Sequence, residues 1–364
     1  MKVIEHLYIH VPFCPRVCPY CAFYVVPADR RKSGPLVEAL LAELRFRERA
    51  SEIRPRTIYL GGGTPSALST GDLARLIGGL GDRAGGAVEF TIEVNPTTLS
   101  PEKAGLLRSL GVNRASLGAQ SFDVGALATL GRQHGPERIR RTFEILRGAG
   151  FGNIGVDLIH GVPGQAEDSW WETLDEALGL HPEHLSAYGL TYEEDTPFFD
   201  RLAAGEWVRD EALEIRLFLG TRRILEGAGY VPYEVSNFAL PGFESEHNLA
   251  YWRGRDYLGL GPSAVSTIGG RRWRTAADLG QYLAAADSGE WPEEEVEYLD
   301  EDLRRRERMM FGLRTREGVD GAGFEEELAG LREAGYADLS GGRWRLTAEG
   351  LLRADAVGAL FARG

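Results

Sequence analysis

Residues 10–24 read HVPFCPRVCPYCAFY, and they contain every cysteine in the chain: Cys14, Cys18 and Cys21. Three thiols at Cys-x3-Cys-x2-Cys spacing, with no other among 364 residues, form a cluster-binding arrangement. The thiolate is the metal-binding form, and loop cysteines this close converge on one inorganic core. Three sulfurs hold three corners of a [4Fe–4S] cube and leave the fourth iron open to an outside ligand. Two other chemistries use the same residues. Zinc would take the three thiolates with His10, although structural zinc knots usually pair two Cys-x2-Cys-like halves and one half stands here. A disulfide would leave one thiol over, in a chain with nothing else secretory about it.

Away from this loop, the first half of the chain alternates short β-branched or apolar runs with longer amphipathic stretches. Strands are expected at 6–10, 57–60, 88–94, 113–118, 153–159 and 184–190, and helices at 35–50, 70–82, 101–110, 136–149 and 168–180. Ser100 and Asp168 suit helix N-caps, and Gly111 and Gly150 suit helix stops. Such alternation gives an α/β fold with a parallel sheet and right-handed crossovers. Six units point to a partial (β/α)6 barrel, with a flat doubly wound sheet as the alternative.

The strand ends carry the residues with chemistry to offer. The cysteines come after the first strand, and Gly61-Gly62-Gly63-Thr64-Pro65 after the second. The third ends in Glu93-Val94-Asn95-Pro96 and the fourth in Gly118-Ala119-Gln120-Ser121. Asp157 lies in the fifth, which runs into His160-Gly161-Val162-Pro163-Gly164. Polar and glycine residues gathered at strand C-termini occupy the end where barrel folds place their chemistry.

Hydrophobic residues make up 43% and charged residues 26%, an ordinary soluble composition. No apolar run approaches a membrane span, and Glu5, His6 and His10 interrupt the N-terminal stretch where a secretory signal would be apolar. Few cysteines and no signal sequence point to a reducing cytoplasm. A net charge of −13 argues against broad nucleic-acid binding, and Arg304, Arg305 and Arg306 read as a solvated helix face. Lysine occurs only as Lys2, Lys32 and Lys103, none beside the glycines at 61–63, which excludes a P-loop.

Beyond about residue 195 the pattern changes. A helix near 209–228 leads to the aromatic and polar stretch 231–254, VPYEVSNFALPGFESEHNLAYWRG, which has little periodicity. Helical patterns recur at 276–286 and 301–313. The tail, 321–362, reads as helix, hairpin with a Gly341-Gly342 turn, and last helix, a winged-helix-like order.

Taken together, the cysteine loop, GGGTP at 61–65, ExNP at 93–96, GxQSF at 118–122, GRQH at 131–134 and DLIxGxPGQ at 157–165 resemble one family. It is the radical S-adenosylmethionine proteins of the anaerobic coproporphyrinogen oxidase group, and the resemblance covers residues 3 to about 270. It implies a cluster whose open iron is chelated by S-adenosylmethionine. Tyr8, Tyr20, Gly62, Gly63 and Thr64 would line that cofactor's pocket, and Glu93, Gln120, Arg132, Asp157 and Ala187 would complete it. Arg132 would pair a carboxylate, and Asp157 or Glu93 would accept from ribose hydroxyls or the amine. Without the resemblance, Glu93 and Asp157 read as strand-end carboxylates capping the next helix. Gln120 and Arg132 then read as a structural hydrogen bond and a surface charge. The implied organisation is a radical SAM partial barrel at 1–200, a barrel-completing extension at 201–295 and a helical, winged-helix-like end domain at 296–364.

Two departures separate the chain from the oxygen-independent coproporphyrinogen III oxidase, the enzymatic alternative. The oxidase pattern continues to Cys-x3-Cys-x2-Cys-x-Cys, and the fourth position here is Phe23. The oxidase also has a substantial segment before its loop, which here begins at residue 14. A third feature, HNxxYW at 247–252 behind Tyr233–Phe238, is similar to the heme chaperone branch, where that histidine is associated with heme. Imidazole is a standard axial ligand, and Tyr251 and Trp252 rings suit a porphyrin face. The other reading of His247 and Asn248 is a buried polar network, with Tyr251 and Trp252 as core. The branch implies heme as ligand, with acceptor hemoproteins, respiratory and membrane-associated ones among them, as partners. His10 either orients the cluster loop or fills the core. No role is read for His6, His134, His181 or His184.

Overall fold

In a computed structural model, which describes residues 2–362, six parallel strands succeed one another across a central sheet. They are β1 (Lys2–Val11), β2 (Ser51–Gly62), β3 (Glu89–Val94), β4 (Arg114–Gln120), β5 (Ile154–His160) and β6 (His184–Gly189). Each pairs with its sequence neighbours in parallel register. Helices α1 (Arg30–Arg47), α2 (Thr70–Leu80), α3 (Pro101–Ser109), α4 (Pro136–Gly148) and α5 (Glu167–Gly179) fill the crossovers. A parallel sheet in sequential order carries its crossover helices on one face and rolls toward a barrel. Among the described residues the two edges are not bonded to each other, so the barrel is partial. Every strand and helix expected before residue 190 is present, with ends moved by a few residues.

Two findings go beyond the expected strands and caps. The sheet does not stop at six strands: β7 (Val231–Pro232), β8 (Asn237–Ala239) and β9 (Leu258–Leu260) extend it. β9 pairs in parallel with β1, and β8 runs antiparallel to both β6 and β7. The aromatic stretch that reads as aperiodic thus contributes to one edge, and the segment just after it to the other, because strands of two or three residues are too short to show a period. The second concerns α5, whose N-cap is Ala166; Asp168 lies in the first turn, where a carboxylate still complements the helix dipole. Ser100 does cap α3, accepting the Lys103 N–H at 3.2 Å.

Period-two alternation divides the sheet into two chemistries. Leu7, Ile9, Ile58, Leu60, Phe90, Ile92, Leu117, Val156 and Leu185 are fully buried in one core with residues of the helices. The intervening positions carry His6, Tyr8, Thr57, Tyr59, Glu89, Thr91, Glu93, Arg114, Ser116, Asp157 and Ser186. The face turned away from the helices is therefore polar along most of its length, and the site is built on it.

Past the barrel come α6 (Glu211–Gly227), α7 (Glu246–Trp252), α8 (Leu279–Ser288) and α9 (Glu301–Leu313), with an antiparallel sheet of Val265–Ile268, Arg271–Thr275 and Glu293–Tyr298. Trp273, Leu279 and Tyr282 join the barrel core. Buried Glu43 of α1 ties that segment down, accepting from Tyr282 Oη at 2.7 Å and the Gly261 N–H at 3.0 Å. The tail has its own core of Met309, Leu313, Phe324, Leu328 and Phe361. Its hairpin, Ala337–Ser340 with Arg343–Leu346, turns on Gly341 and Gly342 at φ +59° and +76°, the left-handed pair a two-residue turn requires. Among the described residues no helix is long and apolar enough to cross a membrane.

Candidate cofactor site

The cysteine loop leaves β1 and is tied to two other strand ends. Cys14 Sγ lies 3.4 Å from Thr64 Oγ1 in the glycine turn. Arg132 places Nη1 3.5 Å from Cys18 Sγ and donates through Nη2 to Gly118 O at 2.9 Å. Among the described residues its buried Nε has no partner, so the guanidinium is only partly satisfied there. All three cysteines are free and half-buried. Burial pushes the Cys14 thiol up to about 11 and raises Cys21 as well; a bound metal displaces those protons. Among the described residues no three His, Cys, Asp or Glu side chains close on a single ion. His10, the fourth ligand a zinc site would need, has both ring nitrogens engaged. Nε2 is 2.8 Å from Tyr24 O and Nδ1 is 3.0 Å from Tyr8 Oη. It therefore braces the end of the cysteine loop against β1.

The glycine turn leaves no room for side chains. Gly62 has φ +107°, and a Cβ there would lie 2.5 Å from the His10 ring. At Gly63 a Cβ would meet the Pro12 and Phe13 carbonyl oxygens at 2.8 Å. Backbone is thus pressed against the cysteine loop as only glycine permits.

Two carboxylates sit on the polar face beneath this turn. Glu93 accepts the Tyr59 hydroxyl at 2.9 Å and the Gly62 N–H at 3.1 Å. Burial lifts its carboxyl to about 7, against the pull of the Tyr59 hydrogen bond. Asp157 accepts from Ser186 Oγ at 2.7 Å and Ser116 Oγ at 3.0 Å, and burial raises it too. Neither caps a helix, since α3 begins on Ser100 and α5 on Ala166. Gln120 ends β4 at φ +70°, where the β4–β5 register shifts, a strained conformation of the kind that collects at functional sites. Tyr20 packs with Phe198 beside the loop, ring centroids 6.0 Å apart. Ala187 alternates with Ser186 onto the apolar face, and its N–H is bonded to Ser236 O at 2.8 Å, so it has only its carbonyl to offer.

His247 lies apart from the cysteine loop, on α7 against the polar face. Its ring is 1% exposed and stacks on Tyr59 at 5.2 Å. Nδ1 is 2.7 Å from Thr57 Oγ1 and Nε2 is 3.1 Å from Tyr251 Oη. Burial holds it neutral, with its pKa lowered to about 3. Thr57 Oγ1 also lies 2.9 Å from His6 Nδ1, which gives His6 a partner that sequence alone does not assign.

Sequence reasoning misses Tyr59, Arg114 and Glu89. Arg114 is 2% exposed, its Nε unpartnered, with Glu89 and Asp157 supplying the neighbouring negative charge. Glu89 accepts from Ser245 Oγ at 3.1 Å and from the N–H groups of Glu246 and His247 at 2.8 and 3.2 Å, anchoring the start of α7. The signal is the i, i+2, i+4 run Glu89-Thr91-Glu93, which puts Glu89 on the face of Glu93.

A match to the radical SAM superfamily spans residues 8–177. The chain is 37% identical over 316 residues to the heme chaperone HemW of Lactococcus lactis, covering 86% of this chain and 82% of that protein. It is 30% identical to the oxygen-independent coproporphyrinogen III oxidase of Pseudomonas aeruginosa, covering 97% and 81%. The structure of coproporphyrinogen III oxidase (HemN) from Escherichia coli superposes at a TM-score of 0.84 with 25% identity, covering 100% of this chain and 91% of that one. Cysteine loop, glycine turn and sequential parallel sheet agree with these kinships. The chain belongs to the radical SAM superfamily, in the coproporphyrinogen oxidase-like group and on the branch of the HemW heme chaperones.

Proposed function

We propose that this chain is a cytoplasmic heme chaperone, binding heme and passing it to acceptor hemoproteins, respiratory proteins at a membrane among them. The observation that carries this is kinship with heme chaperones over most of the chain, joined to Phe23 where the oxidase pattern has its fourth cysteine. Cys14, Cys18 and Cys21 would hold a [4Fe–4S] cluster. Tyr8, Tyr20, Gly62, Gly63 and Thr64 would line bound S-adenosylmethionine, with Gln120 and the Ala187 carbonyl beside it. Arg132, with its unpartnered Nε, would face the carboxylate, and Glu93 and Asp157 would accept from hydroxyls or the amine. When bound, that pair supplies one-electron chemistry at a sulfonium; the chain's part is orientation and exclusion of water. Free thiols in a half-buried loop suit a reducing compartment.

The second reading is an oxygen-independent coproporphyrinogen III oxidase, favoured by the Pseudomonas aeruginosa relative. Heme titration monitored at the Soret band, run beside an anaerobic assay for protoporphyrinogen formation, separates the two. Heme binding without turnover supports the chaperone. Turnover of coproporphyrinogen, or no Soret band on adding heme, overturns it.

A further inference from the structure

Tyr251 borders three cavities, of about 400, 250 and 480 Å³. The smallest reaches the cysteine loop at Ala22, Phe23 and Tyr24. The cavity of about 400 Å³ is a groove between α7 and α9, walled by Trp252, Tyr257 and Phe311. Arg255 and Arg308 line it, as do Arg304 and the Arg272–Glu307 ion pair. Among the described residues Arg255 makes no ion pair, and Arg308 pairs only with Glu301 at 3.0 Å. In a chain of net charge −13, a groove with aromatic walls and four arginines against one glutamate fits a flat aromatic ligand bearing carboxylates. An iron porphyrin with two propionates has that chemistry.

The iron also needs an axial ligand, and the geometry separates the two candidates on α7. His247 is 1% exposed, stacked on Tyr59 and hydrogen-bonded at both ring nitrogens. To reach iron it would break a buried bond and leave a polar atom unpaired. Tyr251 already borders the groove, with its hydroxyl 3.1 Å from His247 Nε2. The row behind it serves either form of the phenol. As a phenol, Tyr251 donates to Nε2, His247 Nδ1–H donates to Thr57, and Thr57 donates to His6. With the oxygen on iron, the row reverses: His6 donates to Thr57, Thr57 to Nδ1, and Nε2–H to the phenolate. No hydrogen bond is lost in either direction.

We propose that the phenolic oxygen of Tyr251 is the axial ligand for ferric heme seated in the groove between α7 and α9, with His247 as its positioning residue. Tyrosine is an established class of heme-iron ligand. On binding, the iron–oxygen bond forms, the phenol O–H breaks, and the proton goes to solvent. This rests on the heme-chaperone reading and names the site of that activity.

The test is titration of the full, anaerobically reconstituted chain with ferric hemin, monitored by absorption, electron paramagnetic resonance and resonance Raman spectroscopy. The wild type should bind one heme with the spectrum of a ferric phenolate. Tyr251→Phe should lose that signature and bind about tenfold more weakly. Tyr251→His should bind and change to an imidazole spectrum, which shows that the site still folds. His247→Gln should keep phenolate ligation with a shifted iron–oxygen stretch, a change that loss of packing alone would not produce. Arg255→Glu with Arg308→Glu should weaken binding without altering the spectrum. An imidazole spectrum in the wild type, kept in Tyr251→Phe and abolished in His247→Gln, would overturn the inference and leave the chaperone reading standing. A wild type that binds no heme would defeat both.

Discussion

Glu93 accepts the backbone N–H of Gly62 at 3.1 Å, which joins the end of β3 to the glycine turn after β2. The same turn presses on His10, and His10 holds the cysteine loop through Tyr24 O at 2.8 Å. A single carboxylate thus sets the backbone that separates the cysteine loop from the polar face of the sheet.

The first prediction concerns that carboxylate. Burial raises the Glu93 pKa from 4.5 to about 7. A carboxyl whose folded pKa stands above its unfolded value holds its proton more tightly in the folded chain. It therefore contributes stability that is fully present at low pH and lost as pH rises through about 7. The span corresponds to about 3 kcal/mol. Buried histidines held low, such as His10 and His160 at about 4, titrate with the opposite sign, so the wild type alone does not isolate the effect. Glu93→Gln removes one titration and leaves the others. Its melting temperature relative to wild type should rise between roughly pH 5 and pH 8. An offset that stays constant over that range would rule the account out.

Much of this arrangement is legible in the sequence itself. The runs at 57–60, 88–94 and 153–159 alternate over enough residues to declare strands, and the glycines and carboxylates at their ends declare the functional end of a barrel. The features that escape a sequence reading have a common cause. β8 and β9 have three residues each, and α7 has seven, so none spans enough periods to be read. The row from Tyr251 through His247 and Thr57 to His6 crosses 190 residues at one hydrogen bond, and a single sequence carries no sign of such a contact. His6 has no legible role for that reason. The hairpin in the tail is visible because two adjacent glycines have a local cause.

Gly62 yields the second prediction. Gly62→Ala places a Cβ 2.5 Å from the His10 ring at φ +107°, so the ring must move and its bond to Tyr24 O must lengthen. The backbone strain alone costs about 1–3 kcal/mol. Reconstituted Gly62→Ala should bind less iron and sulfide than wild type and melt at a lower temperature. Full iron content with an unchanged melting point would show that the turn has slack the geometry denies.

A third prediction separates anchoring of α7 from metal binding at the cysteine loop. Glu89 gathers three donors at the start of α7 and is 5% exposed. Glu89→Ala leaves those donors buried and unpaired, which should destabilise the chain by about 2 kcal/mol and loosen His247. Iron and sulfide content should stay at the wild-type level, because the hydrogen bonds described for Glu89 run to Thr91, Ser245, Glu246 and His247 and none to the cysteine loop. Denaturation midpoints and iron analysis together check this; a loss of iron equal to that of Gly62→Ala would contradict it.

Arg132 gives the last prediction, and it turns on shape more than charge. Its guanidinium spans two partners, Gly118 O at 2.9 Å and Cys18 Sγ at 3.5 Å, and keeps a buried Nε unpaired. Lysine retains the positive charge but has one compact head, so it reaches either the carbonyl or the sulfur and has no planar fork for a carboxylate. If Arg132 faces the carboxylate of S-adenosylmethionine, Arg132→Lys should keep its cluster and bind that cofactor about tenfold more weakly. Equilibrium dialysis with labelled cofactor against reconstituted protein measures the affinity, and cluster absorbance in the same sample controls for the loop. Cofactor affinity that survives the exchange, with the cluster intact, would reduce Arg132 to a brace between β4 and the cysteine loop.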